Sequence, residues 1–254
     1  MKATDRLTTE ERFHDEQAEE RARRFADLAL LRFADEWYLN HEPWIRPAVG
    51  MLGSLAGKML LDYGCGHGMA SVMFARRGAS VTGFDLSGKY VEEAKRRATA
   101  NEVVAHFQVA DAERLPFADA SFDLVWGNAI LHHLDMDQAC KELKRILRPN
   151  GVAVFCEPWG GNPLLEFARR HLPYSGKHRT PDERPLRPAD LPALRVHFPN
   201  LECRGHQFLG VLQRIWKRES PAGSWTDRLD SQLMSRFPVL EKWSRYVVLR
   251  LKNE

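Results

Sequence analysis

Between residues 59 and 156 the chain repeats one unit: a short apolar run, a turn, and a longer segment with apolar residues every three or four positions. "KMLLDYG" is the first run and "GMASVMFARRG" its helical partner, with Gly78 as a C-terminal stop. "SVTGFDLS" precedes the charged helix "GKYVEEAKRRATAN", and "VAHFQVAD" and "FDLVWGNAIL" are the third and fourth runs. The helix "DQACKELKRILRPNG", closed by Asn150 and Gly151, leads into the fifth run, "GVAVFCEP". Strands alternating with helices of this length predict parallel pairing through right-handed crossovers, hence a doubly wound α/β sheet.

The flanks have a different texture. Thr8 to about Arg32 reads as a helix, with Thr8 and Glu11 as a capping box and Glu19/Arg23 and Glu20/Arg24 as i, i+4 pairs on a solvated face. "EWYLNHEPWIRP" sets Trp37, Tyr38 and Trp44 around two prolines and predicts an ordered aromatic loop. Eight of the fourteen prolines fall between Pro158 and Pro199, so regular structure there is short. That stretch is also the most basic, with Arg169, Arg170, Lys177, Arg179, Arg184, Arg187 and Arg195 against four acids. "LECRGHQFLG" and "SRYVVLRLK" read as two last strands, separated by a helical, tryptophan-bearing insert over 211–243.

Composition narrows the function classes. With 254 residues, 44% apolar and 28% charged, the chain is an ordinary globular protein, and its net charge of +3 supplies no field that favours nucleic acid. Cys65, Cys140, Cys156 and Cys203 are widely spaced, so reduced thiols are expected rather than a zinc ribbon or a disulfide scaffold. No run has the length of a signal-peptide core or a membrane span, and a cytoplasmic location is the expectation.

The candidate chemistry begins at "MLLDYGCGHGMA", where a strand ends in a glycine loop that opens a helix. Such a loop gathers backbone N–H groups and the positive helix end at one point. Met69 stands where the dinucleotide fingerprint needs a small residue, and no Gly-Lys-Ser/Thr follows to make a P-loop. Asp62, two residues before Gly64, repels a pyrophosphate and suits an ammonium group. Asp85 at the end of the second strand is placed for ribose hydroxyls, and Asp111 at the end of the third for an exocyclic amine. Together they describe a ligand with a cation, a ribose and an adenine but no phosphate; singly, each is as well explained as a helix cap.

Four elements in order, "LLDYGCGHG", "VTGFDLS", "VADAERLPFADASFDLVWGNAILHHL" and "ELKRILRPNGVAVFCEP", make residues 58–157 resemble the class I S-adenosylmethionine-dependent methyltransferases of the small-molecule type. The resemblance implies a Rossmann-like seven-stranded sheet, mostly parallel with an antiparallel last strand, plus an N-terminal helical cap and a lid insertion. Its parts would be the cap and aromatic loop at 1–50, the cofactor-binding core at 51–157, the proline-rich basic lid at 158–200, and the last two strands with their insert at 201–254, all in one domain. It implies S-adenosylmethionine as cofactor, S-adenosylhomocysteine as product and no metal. Gly64, Cys65, Gly66 and Gly68 would wrap the methionine part beside Asp62; Asp85 would hold the ribose, Leu86 the adenine face, and Asp111 with Ala112 the adenine edge. Asn128 would lie beside the sulfonium. Tyr63, where an aliphatic residue is usual, and His67 are mild departures.

Methyl transfer from a sulfonium needs mainly positioning and exclusion of water, with a general base useful for a hydroxyl or protonated amine acceptor. His133 and, second, His132 are the candidates, each with a structural alternative as a cap of the following helix. A metal group of His132, His133 and Asp135 is disfavoured, because adjacent histidines point apart. Tyr38, Trp44, Glu157 and Trp159 are expected at the acceptor, with Gly160, Gly161 and Asn162 in the adjoining loop; packing explains Trp159 equally well. The basic run would suit an acidic or phosphorylated small-molecule acceptor, or simply face solvent. The rival functions are an RNA or protein methyltransferase, a non-catalytic S-adenosylmethionine-binding protein and a nicotinamide-dependent dehydrogenase.

Overall fold

The computed structural model describes residues 3–25, 27–171, 184–209 and 225–254. Seven strands form one sheet: β1 (Met59–Tyr63), β2 (Ser80–Asp85), β3 (His106–Val109), β4 (Phe122–Asn128), β5 (Leu147–Pro158), β6 (Glu202–His206) and β7 (Tyr246–Lys252). Their order is β3-β2-β1-β4-β5-β7-β6; β1 to β5 are parallel, and β7 runs antiparallel to both β5 and β6. The order reverses between β1 and β4, which opens a crevice at the carboxyl ends of the strands.

Alternation along the strands sends side chains to two cores, as a sheet covered on both faces requires. Leu60, Leu124, Trp126 and Val154 meet the helices α2 (Asp35–His41), α3 (Ile45–Met51) and α4 (Met69–Arg76). Leu61, Tyr63, Val125 and Phe155 meet α6 (Met136–Ile146) and α8 (Leu191–His197) on the opposite face. The helix α5 (Gly88–Ala100) packs beside β3 through Val91, Ala94 and Ala98. Among the described residues no helix is long and apolar enough to cross a membrane.

Several local expectations change in the tertiary structure. α6 ends at Ile146, and Asn150 and Gly151 lie inside β5, where the register to β4 shifts between Phe122 and Leu124. The helix end is closed instead by Asn253 from the end of the chain, whose Nδ2 donates to the Leu147 carbonyl at 2.8 Å. The segment around Trp37 and Trp44 is not a loop but α2 and α3; Pro47 fits in the first turn of α3, where no intrahelical N–H is required. The helix α1 (Ala3–Arg24) already includes Thr8 and Glu11, so they form no capping box.

α1 is also not a free solvated helix, because it lies along α5. Ser87 Oγ donates to Asp15 Oδ1 at 2.5 Å, Tyr90 Oη to Gln17 Oε1 at 3.3 Å, and Lys89 pairs with Glu19. In the proline-rich segment the described parts are α7 (Pro163–His171) and the stretch around α8, where Arg184 is paired with Asp190 at 2.7 Å. Lys177 and Arg179, and the side chains of Arg169 and Arg170, lie outside the described residues. Of the predicted C-terminal insert, α9 (Trp225–Arg236) and a 3-10 turn at Pro238–Trp243 are described, and residues 210–224 are not.

Candidate functional site

A cavity of about 290 Å³ occupies the crevice at the carboxyl ends of the strands, with Asp62, Gly64, Cys65, Gly66, Asp85, Leu86, Asp111, Ala112 and Asn128 on its walls. Left-handed backbone shapes the loop below it: φ is +69° at Gly64, +47° at Gly66 and +80° at Gly68, a region costly for residues with a Cβ. Gly68 does not line the cavity. It lets α5 approach, since a Cβ there would stand 2.8 Å from Ala94 Cβ, whereas a Cβ at Gly66 would meet nothing within 4 Å.

Neighbouring elements hold this loop. Cys65 N donates to the Phe84 carbonyl at 2.7 Å, and Gly66 N to Asp85 Oδ2 at 2.9 Å. Arg97 of α5, buried and paired with Glu93 at 2.7 Å, donates to the His67 carbonyl at 2.7 Å. On the opposite wall the Tyr63 hydroxyl donates to the Ala112 carbonyl at 2.7 Å, so the departure at Tyr63 positions the segment after β3. Asp111 Oδ1 accepts the Glu113 amide at 2.9 Å.

The electrostatics select the ligand. Asp62 is 2% exposed, and burial pushes its pKa up to about 7 against the hydrogen bond it accepts from Ser71 Oγ at 2.5 Å. Burial also raises Asp85, against the backbone hydrogen bonds from Ser87 and Gly66. Glu10 and Asp111 complete four carboxylates on the wall, and no described Lys or Arg joins them. His67 is held neutral by burial, and its Nδ1 is buried without a partner among the described residues. A cation is favoured beside Asp62, hydroxyls at Asp85 and a polar edge at Asp111; a pyrophosphate is not. The residues present therefore fit S-adenosylmethionine, with His67 Nδ1 left to meet a polar group of its methionine part.

The comparison with known proteins agrees. Residues 61–155 match the family model described as a methyltransferase domain. These residues are similar to a methyltransferase domain. Over 106 residues the chain is 43% identical to the 27-O-demethylrifamycin SV methyltransferase of Amycolatopsis mediterranei, covering 40% of this chain and 39% of that protein. Over 131 residues it is 37% identical to the malonyl-[acyl-carrier protein] O-methyltransferase of Enterobacter lignolyticus, covering 50% and 51%. The alignments thus span about half or less of these relatives' length. The S-adenosylmethionine-dependent methyltransferase of Mesorhizobium loti shares the fold, with a TM-score of 0.53 over 83% of this chain and 98% of its own, at 20% identity.

Around the cofactor cavity the expected acceptor residues separate. His133 lines the cofactor cavity and His132 does not. His132 Nδ1 is 2.7 Å from Glu157 Oε2, and Glu157 Oε1 accepts the amides of Ile130 at 3.0 Å and Leu131 at 2.8 Å. Glu157 is 0% exposed and is on the walls of neither the cofactor cavity nor the aromatic one; it secures the turn after β4. Trp159, 2% exposed, is likewise packed away, its Nε1 donating to the Lys242 carbonyl at 3.0 Å. Asp135 caps α6 and stands in no metal-ligand group with the two histidines. Tyr38 lines both the cofactor cavity and a larger one of about 780 Å³, whose walls also carry Phe33, Trp37, Trp44 and Tyr246. Trp44 stacks on Tyr246 with ring centroids 3.9 Å apart.

Among the wall residues not anticipated are Leu7, Glu10, His14 and Gln17 of α1. Their spacing of three, four and three residues marks one helix face. The face is mostly polar, so hydrophobic periodicity did not reveal its burial.

Proposed function

We propose that this chain transfers a methyl group from S-adenosylmethionine to a small-molecule acceptor and releases S-adenosylhomocysteine. The observation that carries this reading is the set of carboxylates Asp62, Asp85 and Asp111 lining one cavity with no described Lys or Arg among its wall residues. The bound cofactor supplies an electrophilic methyl on a sulfonium. Asp62 faces the amino group, Asp85 the ribose hydroxyls and Asp111 with the Ala112 backbone the adenine edge, while Asn128 at the end of β4 stands beside the transferable methyl.

The acceptor is assigned to the aromatic cavity, which shares Tyr38, His67, Met69 and Asn128 with the cofactor cavity. Its aromatic walls suit a molecule with a large apolar surface, and Arg21 and Arg32 on the same walls suit an acidic group on it. The relatives named above are methyltransferases named for 27-O-demethylrifamycin SV and for malonyl-[acyl-carrier protein], the second a small group carried on a protein. Their alignments cover half of this chain or less, so the acceptor reading rests on the cavity. The described part of the segment 1–50 is read as the cover of both cavities, α1 by excluding water from the cofactor. Of the two histidines, His133 is assigned the direct role because it lines the cofactor cavity, while the walls of the aromatic cavity hold neither.

Turnover tests the proposal: methyl-labelled S-adenosylmethionine is incubated with the protein and a metabolite extract, and labelled small molecules are separated from labelled macromolecules. Label in a small molecule is expected. Label in RNA or protein would move the acceptor class, and tight S-adenosylhomocysteine binding with no transfer would leave a binding protein.

A further inference from the structure

We propose that Glu10, His14 and His133 form a binding site for a divalent transition-metal ion of the zinc, cobalt or nickel class. Glu10 and His14 stand one turn apart on α1, and His133 ends the 3-10 turn after β4, so two distant parts of the chain supply the ligands. One ligand atom from each lies within 4.8 Å of the other two. Glu10 Oε2 is 3.5 Å from His14 Nε2 and 3.4 Å from His133 Nδ1. Two atoms each bound at about 2.0–2.1 Å around a tetrahedral ion stand about 3.3–3.4 Å apart, so both pairs already have ligand spacing. The two imidazoles, with ring centroids 5.8 Å apart, close the remaining side of the triangle.

The donor set decides the class of ion. Two imidazoles with one carboxylate suit borderline cations, whereas magnesium and calcium prefer oxygen ligands throughout. Three protein ligands leave a coordination position open, the arrangement of reactive rather than structural zinc sites. All three residues line the cofactor cavity, and Glu10 and His133 also line a neighbouring cavity of about 350 Å³ that holds His132 and Arg184. The open position therefore faces space that a second molecule can enter, and an oxygen of that molecule is the natural fourth ligand. The ion would tie α1 to the turn after β4, closing the cofactor crevice. Metal affinity is read on the protein itself and does not depend on methyl transfer.

The test uses the full chain, free of any affinity tag and stripped with a chelator, titrated with Co²⁺ by visible absorption and then with Zn²⁺ in competition. One Co²⁺ per chain, displaced by Zn²⁺, is expected. Glu10→Gln and His14→Gln each remove a direct ligand and should weaken Zn²⁺ binding by at least ~100-fold, while His106→Gln on the exposed edge of β3 should leave it unchanged. Absence of Co²⁺ uptake, or uptake indifferent to Glu10→Gln and His14→Gln, overturns the site and leaves an ionic cluster of Glu10 with two histidines. Should either variant lose the wild-type melting transition, the wild-type protein decides by NMR: the imidazole signals of His14 and His133 must shift on adding Zn²⁺, and unshifted signals overturn the proposal.

Discussion

Asp85 accepts the Gly66 amide at 2.9 Å, which ties the end of β2 to the middle of the glycine loop after β1. Its other oxygen accepts the Ser87 amide at 3.0 Å, so the same carboxylate anchors the entry to α5. Each oxygen keeps a lone pair for a ligand hydroxyl. Asp85→Ala is expected to weaken S-adenosylhomocysteine binding by about 1–3 kcal/mol in calorimetry, and an unchanged affinity would remove Asp85 from the site.

The three loop glycines should not be equivalent. Gly68→Ala combines a left-handed φ of +80° with contact at 2.9 Å to the Ala94 backbone, whereas Gly66→Ala meets open space at φ +47°. Gly68→Ala should lose stability by roughly 1–3 kcal/mol for the backbone plus a comparable overpacking cost, and Gly66→Ala only the former. Urea denaturation measures the difference; Gly66→Ala should instead stand out by its loss of cofactor affinity, since its Cβ would enter the cavity.

Asp62 makes the ligand-free protein sensitive to pH. Its folded pKa is raised to about 7 by burial, above the ordinary 3.8, so the uncharged form stabilises the fold. That contribution is complete below about pH 4 and is lost as pH rises through about 7. Asp62→Asn should therefore raise the melting temperature of the ligand-free protein at about pH 8 and leave it nearly unchanged at about pH 4. A ligand ammonium group favours the ionised form, so wild-type affinity for S-adenosylhomocysteine should increase from about pH 6 to about pH 8 and Asp62→Asn should flatten that rise.

Glu157 is predicted to be structural. Removing its carboxylate leaves the Ile130 and Leu131 amides and the His132 ring without their acceptor in a dry environment. Glu157→Ala should cost about 3 kcal/mol or more in urea denaturation, and Glu157→Gln distinctly less, because the amide oxygen still accepts. A normal denaturation midpoint combined with a raised KM would return Glu157 to the acceptor pocket.

His133→Ala and His132→Ala should diverge for the same geometric reason. His133 reaches the cofactor cavity, so its loss is expected to lower kcat with a melting temperature close to wild type. His132 is bound to Glu157, so its loss is expected to lower the melting temperature first. Equal effects on both quantities in the two variants would contradict the separate roles.

Much of the cofactor half was legible in the amino-acid sequence because its signals are local. The strand period, the Asp62–Gly68 loop and the acids at the ends of β2 and β3 depend on neighbours within a few residues, and backbone sterics and ligand charge translate them directly into geometry. The acceptor half depended on packing between distant segments. Asn253 closes the end of α6, Glu157 turns inward to two amides and a histidine, and the mostly polar stripe Leu7, Glu10, His14 and Gln17 is half-buried or buried because α1 lies against α5 and lines the cavity. A buried hydrogen-bonding group has no sequence period of its own, since the partner that makes its burial tolerable comes from elsewhere in the chain. The sequence by itself therefore determined the sheet and the kind of ligand it holds, and the tertiary structure decided which side chains face that ligand and which are spent holding the turn beside it.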